Sequence, residues 1–427
     1  MKEEFLHYLW KYKKFAFAEA KSISGESITL INSGAHNHLA GPDFLNAQLK
    51  IDDQLWAGNV EIHLKSSGWY AHQHEEDRAY DNVILHVVWE DDTPVYGPND
   101  LQLTTLVLKN YVNPELITGY RKLFYEQKYQ FINCENDFEK IPPYLIKNWL
   151  ERQYIDRLEE KVLFIEKLLK ASNNDWEAVL FTMLARNFGT KINAQAFADM
   201  AGNIPFSVIR KISNNTGELE ALFLGVNNLL PKDDAERQIK LWKEQYRFIK
   251  SKYAIDENAI PIQYFKLRPP NFPTIRLSQL ANLYEKESQL FQKVVAIKTK
   301  KESYALFDVN VSEYWKTHYN FGRSHSPRAK RLSNSFVDLL LINTIIPIQF
   351  AYSKYMNLNK EADLLQLIMS LKAEKNSIVE GFKNLRELDD HALNSQALLH
   401  LKKHYCDVNR CLHCAVGNYL ISQSAKE

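Results

Sequence analysis

The spacing of apolar residues changes once along this chain of 427 residues, and the change limits the folds available to it. Between residues 27 and 108, short runs rich in β-branched and aromatic residues alternate apolar with polar side chains. This alternation is typical of strands with one buried face. From about residue 142 onward, apolar residues recur every three or four positions, as in amphipathic helices. The sequence therefore predicts a strand-rich module followed by a helical domain.

The pattern predicts individual elements within both parts. In the first part they are a helix at 5–20, strands at 27–31, 43–51 and 56–65, a short helix at 72–81, and strands at 82–89 and 101–108. In the second part they are helices at 144–171, 174–187, 232–252, 276–297, 330–341, 360–374 and 389–404. We interpret this as an α/β module over 1–132 with a mixed sheet and flanking helices, a charged linker at 133–143, and a larger all-α domain over 144–427.

The charge balance does not indicate a partner. The chain has 53 basic and 52 acidic side chains, so any attraction for nucleic acid must be local. The first 21 residues lack the apolar core of a signal peptide. The longest apolar run, residues 339–351, is too short and polar to span a bilayer and predicts a buried helix pair bent at Pro347. A cytoplasmic location without membrane contact is expected.

Histidines and carboxylates are concentrated in the strand-rich module. Six of the 13 histidines fall between residues 36 and 86, namely His36, His38, His63, His72, His74 and His86. Alternation along the strand at 56–65 places Glu61, His63 and Lys65 on one face. Asp43 and Glu61 offer the carboxylate oxygens that Mg²⁺ or Mn²⁺ binds, and such an ion can generate hydroxide from water. His63 or Lys65 is a candidate to position that water.

The order helix, strand, Pro-Asp, strand, Glu-x-His, helix, strand resembles the PD-(D/E)XK nuclease superfamily. The resemblance implies a restriction-endonuclease-like fold in which Asp43 and Glu61 hold the catalytic metal, helped by the backbone carbonyl of Ile62. His63 stands where that superfamily usually has lysine, and Lys65 lies on the same face as a substitute. The implied activity is metal-dependent hydrolysis of phosphodiester bonds.

A second resemblance covers nearly the whole chain. The segments GPDF, GNVEIH, VILHVVW, RPPNFPTIRLSQLA and CLHCAVG together resemble an uncharacterised bacterial family, domain-of-unknown-function family 2851. This resemblance implies common descent and no particular activity.

Each candidate residue also has a structural interpretation. Asp43 after a proline could accept a turn or helix-cap hydrogen bond, and Glu61 could be a surface strand residue. His72 and His74 could contact substrate or nucleic acid, or lie at a solvated helix start. His86, inside an apolar strand, is more typical of a core histidine than of a ligand.

The cysteines form a second candidate metal site. Cys406, Cys411 and Cys414 lie within nine residues, and Cys134 is the only other cysteine. Four thiolates suit either Zn²⁺ or an iron–sulfur cluster, and the pattern is similar to that of iron–sulfur-containing nucleases. His404 or His413 could replace Cys134 as the fourth ligand, and unliganded reduced thiols are the alternative.

Local basic residues make DNA or RNA a plausible partner. Arg323 and Arg328 lie around Pro327 before a predicted helix, and Arg268 and Arg276 flank the RPPNFP segment. They could hold phosphates, although isolated charges on helices and loops are usually just solvated.

Three functions follow from these features. The first is a metal-dependent nuclease that uses Asp43, Glu61, and His63 or Lys65. The second is a nucleic-acid-binding protein without catalysis on the same fold. The third is a hydrolase of another ester whose Zn²⁺ ligands come from the histidines, namely His36, His38, His63, His72 and His74.

Overall fold

The computed structural model describes residues 1–97, 101–126, 131–232, 236–257 and 260–423. The chain divides into two compact units. The first, here called the sheet unit, comprises Met1–Trp149, Gly381–Glu387 and Leu401–Glu427. The second, here called the helical unit, comprises Leu150–Glu380 and Leu388–His400. The C-terminal cysteines therefore belong to the same unit as the sheet, and the predicted linker at 133–143 stays a prediction.

The sheet unit contains a mixed, curled β-sheet. Its strands are β1 (Ile28–Asn32), β2 (Ala35–His36), β3 (Phe44–Ile51), β4 (Gln54–Lys65), β5 (Val83–Glu90) and β6 (Thr105–Val107). They lie in the order β1-β3-β4-β5-β6, with β2 also paired to β3. Pairing is antiparallel from β1 to β4 and parallel from β4 to β6. The mixed sheet predicted from the sequence is confirmed.

Apolar residues on one face of β4 and on α1 (Glu3–Lys11) share the main core of the sheet unit. Val60 and Ile62 are fully buried there, together with Phe5 and Leu9 of the helix. Alternation along β4 consequently turns Glu61 and His63 to the opposite face. That face is covered by α2 (Gly68–Ala71) and a 3₁₀ turn at Arg78–Tyr80, whose Trp69 and Tyr80 are buried.

Two predicted elements of the sheet unit differ in the structure. The helix predicted at 5–20 ends at Lys11, because Lys13 adopts the left-handed conformation with φ of 51°. The helix predicted at 72–81 is replaced by α2 and the 3₁₀ turn, separated by Gln73 with φ of 60°. These changes fold residues 66–81 back over the sheet instead of extending them as one helix.

The chain beyond residue 142 is largely helical, as predicted, and a further helix, α3 (Pro114–Arg121), precedes it. The later helices are α4 (Pro143–Ala171), α5 (Trp176–Phe188), α6 (Thr190–Asn203), α7 (Phe206–Ile212), α8 (Thr216–Val226), α9 (Arg237–Tyr253), α10 (Pro273–Lys286), α11 (Leu290–Ala296), α12 (Lys300–Leu306), α13 (Glu313–Thr317), α14 (Asn334–Leu340), α15 (Ile346–Tyr355), α16 (Glu361–Met369), α17 (Ser377–Leu385), α18 (Ala392–Leu401) and α19 (Ala415–Gln423). Of the helix predicted at 232–252, residues 233–235 lie outside the described residues.

One helical run, Asn334–Tyr355, is long and apolar enough to cross a membrane by length and composition alone. However, 72% of its most apolar window is buried, as in a core helix. The run joins α14 and α15 through a π-helical turn at Leu341–Ile345. Pro347 lies in the first turn of α15. The predicted buried helices are thus present, and the bend at Pro347 stays a prediction.

Candidate metal centre

The two candidate carboxyl groups lie side by side, Asp43 directly before β3 and Glu61 on β4. The antiparallel register pairs Phe44 with Val60, which puts Asp43 opposite Glu61. The backbone N–H of Asp43 donates to Glu61 Oε2 at 3.1 Å. In return, the backbone N–H of Ile62 donates to Asp43 Oδ2 at 3.0 Å. The sheet backbone itself therefore holds the two carboxyl groups together.

His63 and His74 flank the Glu61 carboxyl group, and His72 lies beside His63. Ligating nitrogens of His63, His72 and His74 all lie within 4.8 Å of one another. Glu61 Oε1 is 3.3 Å from His74 Nε2 and 3.7 Å from His63 Nε2. His63 Nε2 is 3.1 Å from His72 Nδ1. These three histidines and the two carboxylates, Asp43 and Glu61, are here called the His/carboxylate cluster.

Two residues on the buried side of this cluster, His86 and Gly68, orient the His63 ring. His86 on β5 is fully buried, and its Nε2 lies 2.9 Å from His63 Nδ1. When His63 Nδ1 donates this hydrogen bond, its Nε2 lone pair remains free for a ligand role. Gly68 of α2 packs against the other side of the ring, where an added Cβ would lie 2.8 Å from His63 Cδ2. His86 is thus a buried histidine, as the sequence indicated, and its ring contacts His63 of the cluster.

Burial determines the protonation states in the cluster. Burial, and then the neighbouring Asp43, raise the pKa of Glu61 to about 9, so its carboxyl group is neutral at pH 7 without a nearby cation. Burial also lowers the pKa of His63 to about 2 and that of His86 to about 3. The pKa of His74 is lowered for the same principal reason. These imidazoles are therefore neutral, which is the form that binds metals.

Two residues of α1 complete the surroundings, and the sequence analysis missed both. His7 Nε2 lies 3.2 Å from Asp43 Oδ2. Glu3 accepts a hydrogen bond from the backbone N–H of Leu64, and its pKa is raised by burial and by Asp43. Glu3 and His7 are four residues apart on a helix, and so share one face. Polar residues at this spacing on an otherwise buried helix were the available signal.

Several buried nitrogens in this region lack a hydrogen-bond partner within the described part of the chain, namely Nε2 of His7, Nε2 of His74, Nδ1 of His36 and Nδ1 of His86. Those of His7 and His74 are within 3.3 Å of a carboxylate oxygen, but not in hydrogen-bonding geometry. Such unpaired buried groups are costly unless another partner is present. His36 contacts His38 and meets His7 edge-to-face, outside the His/carboxylate cluster.

The remaining predicted catalytic residue lies away from the carboxylates. The side chain of Lys65 is 59% exposed, and its ammonium is 4.0 Å from Asp92. By contrast, Glu61, His63 and His74 are almost completely buried. His72 is exposed, and the side chain of Asp43 retains 22% of its exposure. Solvent therefore reaches the cluster from the side of Asp43 and His72, whereas His74 is not accessible to a large ligand.

The predicted phosphate-binding arginines differ in accessibility. Arg268, Arg323 and Arg328 are exposed. Arg276 is buried, donates hydrogen bonds to Gln279 and Asn271, and lies 3.7 Å from the centre of the Phe336 ring. Its guanidinium group is thus part of the core of the helical unit and is not available to nucleic acid in this structure.

The four cysteines, which the sequence placed in one candidate site, line a common pocket of the sheet unit. They are Cys134, Cys406, Cys411 and Cys414. All four are free thiols. The structure therefore brings together residues from two segments that are more than 270 positions apart in the chain.

Comparison with known proteins identifies the family of this chain. Residues 3–377 match the family described as Protein of unknown function (DUF2851), and the chain belongs to that family. The matched span contains the whole His/carboxylate cluster and Cys134, and it ends before Cys406. No similar protein was found among the curated proteins, and no similar fold was found among the solved structures.

Proposed function

We propose that the sheet unit is a metal-dependent hydrolase that cleaves phosphodiester bonds of DNA or RNA. One observation carries the proposal: Asp43 and Glu61 meet beside His63, His72 and His74, whose ring nitrogens lie within 4.8 Å of one another. Clustered carboxylates and neutral histidines are the ligand set of catalytic divalent metal sites. A purely structural role for Glu61 and His63 would not need these side chains to converge.

The residues present fit a bound cation. Two ligands of one ion with bonds of about 2.0–2.2 Å lie roughly 3 to 3.6 Å apart. The nitrogen–nitrogen and nitrogen–oxygen separations in the cluster are 3.1, 3.3 and 3.7 Å. A cation would also give His74 Nε2 a partner and stabilise the ionised form of Glu61. Without one, burial and the neighbouring Asp43 oppose ionisation of Glu61.

The ligand set indicates which ion is bound. Magnesium prefers oxygen ligands and retains several waters, whereas imidazole nitrogens favour first-row transition metals and zinc. Because His63, His72 and His74 outnumber the carboxylates, we expect Mn²⁺ or Zn²⁺ rather than Mg²⁺ as the natural ion. Such an ion, when bound, would lower the pKa of a coordinated water and neutralise charge on the phosphate.

The chain's own residues have distinct parts in this reaction. The backbone N–H of Ile62 holds the Asp43 carboxylate in place, and His86 holds the His63 ring. Trp69 and Tyr80 close the inner side and exclude water there. Substrate would enter on the side of the partly exposed Asp43 and the exposed His72, which solvent reaches. Lys65, beside Asp92, is not assigned a part in the chemistry.

Phosphodiesters are the proposed substrate because of the arrangement around the two carboxylates. The order of the elements follows that of PD-(D/E)XK nucleases. An N-terminal helix comes first, then the antiparallel strands β3, which Asp43 precedes, and β4, which carries Glu-x-His, and then β5, parallel to β4. The number of histidines favours a second candidate, hydrolysis of another ester at a zinc centre. The third alternative, binding of nucleic acid without catalysis, requires that the protein cleave no substrate with any of the metals.

The experiment is a cleavage assay with purified protein on single- and double-stranded DNA and RNA, with Mg²⁺, Mn²⁺ or Zn²⁺. A panel of phosphomonoesters and carboxylic esters is tested in parallel. Cleavage of a nucleic acid by the wild type and not by Asp43→Asn supports the proposal. Ester hydrolysis without nucleic-acid cleavage selects the second candidate, and salt-sensitive binding without turnover excludes catalysis.

A further inference from the structure

The four cysteines, here called the cysteine group, form a separate centre in the sheet unit. They line one pocket together with Leu123, Ile132, Asn133, Tyr405 and Gly417. They are the only cysteines in the chain, yet they come from two segments far apart in sequence. Chance placement would not bring every thiol of a protein to one pocket, so the convergence indicates a common ligand.

The fold fixes the positions of these thiols. Cys134 precedes the 3₁₀ turn at Glu135–Lys140, and Cys406 ends a π-helical turn. Cys411 begins another 3₁₀ turn, and Cys414 comes directly before α19. Leu412 and Ile421, on either side of Cys414, are buried in the main core of the sheet unit. The C-terminal segment is thus packed against the sheet unit at the pocket.

Gly417 and the start of α19 shape the surroundings of Cys414. A Cβ at Gly417 would lie 2.1 Å from the carbonyl oxygen of Cys411, so only glycine permits this approach. The backbone N–H groups of Val416 and Gly417 donate to the Cys414 sulfur. Backbone donors at a helix start stabilise a thiolate, and hydrogen bonds to ligating sulfurs are a regular feature of metal centres.

We propose that the cysteine group holds an iron–sulfur cluster. Four thiolates around one Zn²⁺, with bonds of about 2.3 Å, would place the sulfurs only about 3.8 Å apart. Among the described residues, no three of these sulfurs all lie within 4.8 Å of one another. Four thiols in one pocket, of which no three are this close together, suit a ligand several atoms across, such as a cluster held by four cysteines.

This centre has a structural consequence that goes beyond the proposed hydrolysis. A cluster bound to Cys134 and to the three later cysteines ties residues 401–423 to the rest of the sheet unit. It leaves no open coordination position when all four thiolates bind, so it is not expected to take part in the chemistry. Its role is to keep the C-terminal segment docked on the core.

The test begins with the full chain purified without oxygen. We expect a brown protein with visible charge-transfer absorption and equal amounts of iron and acid-labile sulfide. Cys411→Ser and Cys414→Ser should lose most of the iron, whereas His413→Ala, within the same turn, should keep it. Stoichiometric zinc without iron overturns the proposal, as does iron that is retained in both serine variants.

A second measurement covers variants that do not fold. The wild-type protein is stripped of metal and then reconstituted with iron and sulfide. The reconstituted protein should regain the visible absorption, and its residues 401–423 should again resist limited proteolysis. Failure to take up iron under these conditions overturns the cluster. Binding of Mn²⁺ at the His/carboxylate cluster is measured in the same samples, so loss of one centre is distinguishable from loss of the other.

Discussion

The backbone N–H of Asp43 donates a hydrogen bond to the Glu61 carboxylate at 3.1 Å, although 18 residues separate them in the chain. The reciprocal bond from Ile62 N–H to Asp43 makes the pair part of the strand pairing. Their separation therefore depends on β3–β4 register and not on free side-chain rotation. Two carboxyl groups fixed this closely favour a bound cation at neutral pH, which is the basis of the proposed function.

Replacing Asp43 should separate catalysis from folding. Asp43→Asn keeps the side-chain shape and the acceptor for Ile62 N–H, but removes the charge. We expect the metal-dependent cleavage rate to fall by about 100-fold or more. Lys65→Ala should leave the rate nearly unchanged, because that ammonium is exposed and lies beside Asp92. Single-turnover kinetics with Mn²⁺ checks both, and equal loss in the two variants would contradict the assignment.

Gly68 should be needed for the orientation of His63. Gly68→Ala places a Cβ about 2.8 Å from the His63 ring, so the ring must move. We expect Mn²⁺ affinity to fall by about 10-fold, as for loss of an orienting partner. The control is Gly202→Ala on α6, where an added Cβ meets no atom within 4 Å. Calorimetric titration with Mn²⁺ measures the affinity of both variants. An unchanged affinity in Gly68→Ala would contradict the claim that the orientation of His63 matters for metal binding.

Glu220 should make the helical unit less stable as the pH rises. Burial raises the pKa of this carboxyl group from 4.5 to about 7, while the hydroxyls of Ser278 and Ser312 bond to it. Because the folded state favours the neutral form, Glu220 contributes fully to the free energy of unfolding below pH 4.5. This stabilisation is lost as the pH rises from 4.5 to 7. The shift corresponds to roughly 3 kcal/mol.

The measurement for Glu220 is urea unfolding of the wild type and Glu220→Gln at several pH values. Relative to the glutamine variant, the wild type should lose stability from pH 4.5 to 8. A difference between the two proteins that is constant with pH would mean that the Glu220 pKa is not raised by folding.

Arg276 should act on stability rather than on nucleic-acid binding. Arg276→Ala removes a buried guanidinium from the Phe336 ring and takes the arginine donor away from Gln279 Oε1 and Asn271 Oδ1. We expect a loss of about 3 kcal/mol in the free energy of unfolding. Arg323→Ala, at an exposed position, should stay within about 0.5 kcal/mol of the wild type. Chemical denaturation measures both, and an Arg276 variant as stable as the wild type would contradict the buried role.

The sequence predicted the parts of the fold that depend on local pattern. Alternation at 43–51 and 56–65 correctly indicated β3 and β4, and it placed Glu61 and His63 on one face. The three-to-four-residue spacing beyond residue 142 correctly indicated helices. These patterns are set by which side chains must be buried, and one sequence records that directly.

The composition of the cluster could not be predicted in the same way. Glu3 and His7 reach it through the packing of α1, which brings residues forty positions distant to Asp43. Lys13 and Gln73, whose left-handed conformations interrupt the two predicted helices, are not of the types that usually signal such a conformation. Likewise, the exposure of Lys65 and the burial of Arg276 are tertiary properties that spacing along the chain does not encode.

The most direct test of the central claim is a Mn²⁺ titration followed by electron paramagnetic resonance of the free ion. Manganese is a hard ion and does not compete for thiolates, so the cysteine group does not contribute. We predict one tight site in the wild type, lost in Glu61→Gln and His74→Ala and retained in Glu90→Gln, whose carboxylate is exposed on β5. Absence of a tight site in the wild type, or equal binding by Glu61→Gln, would contradict the account.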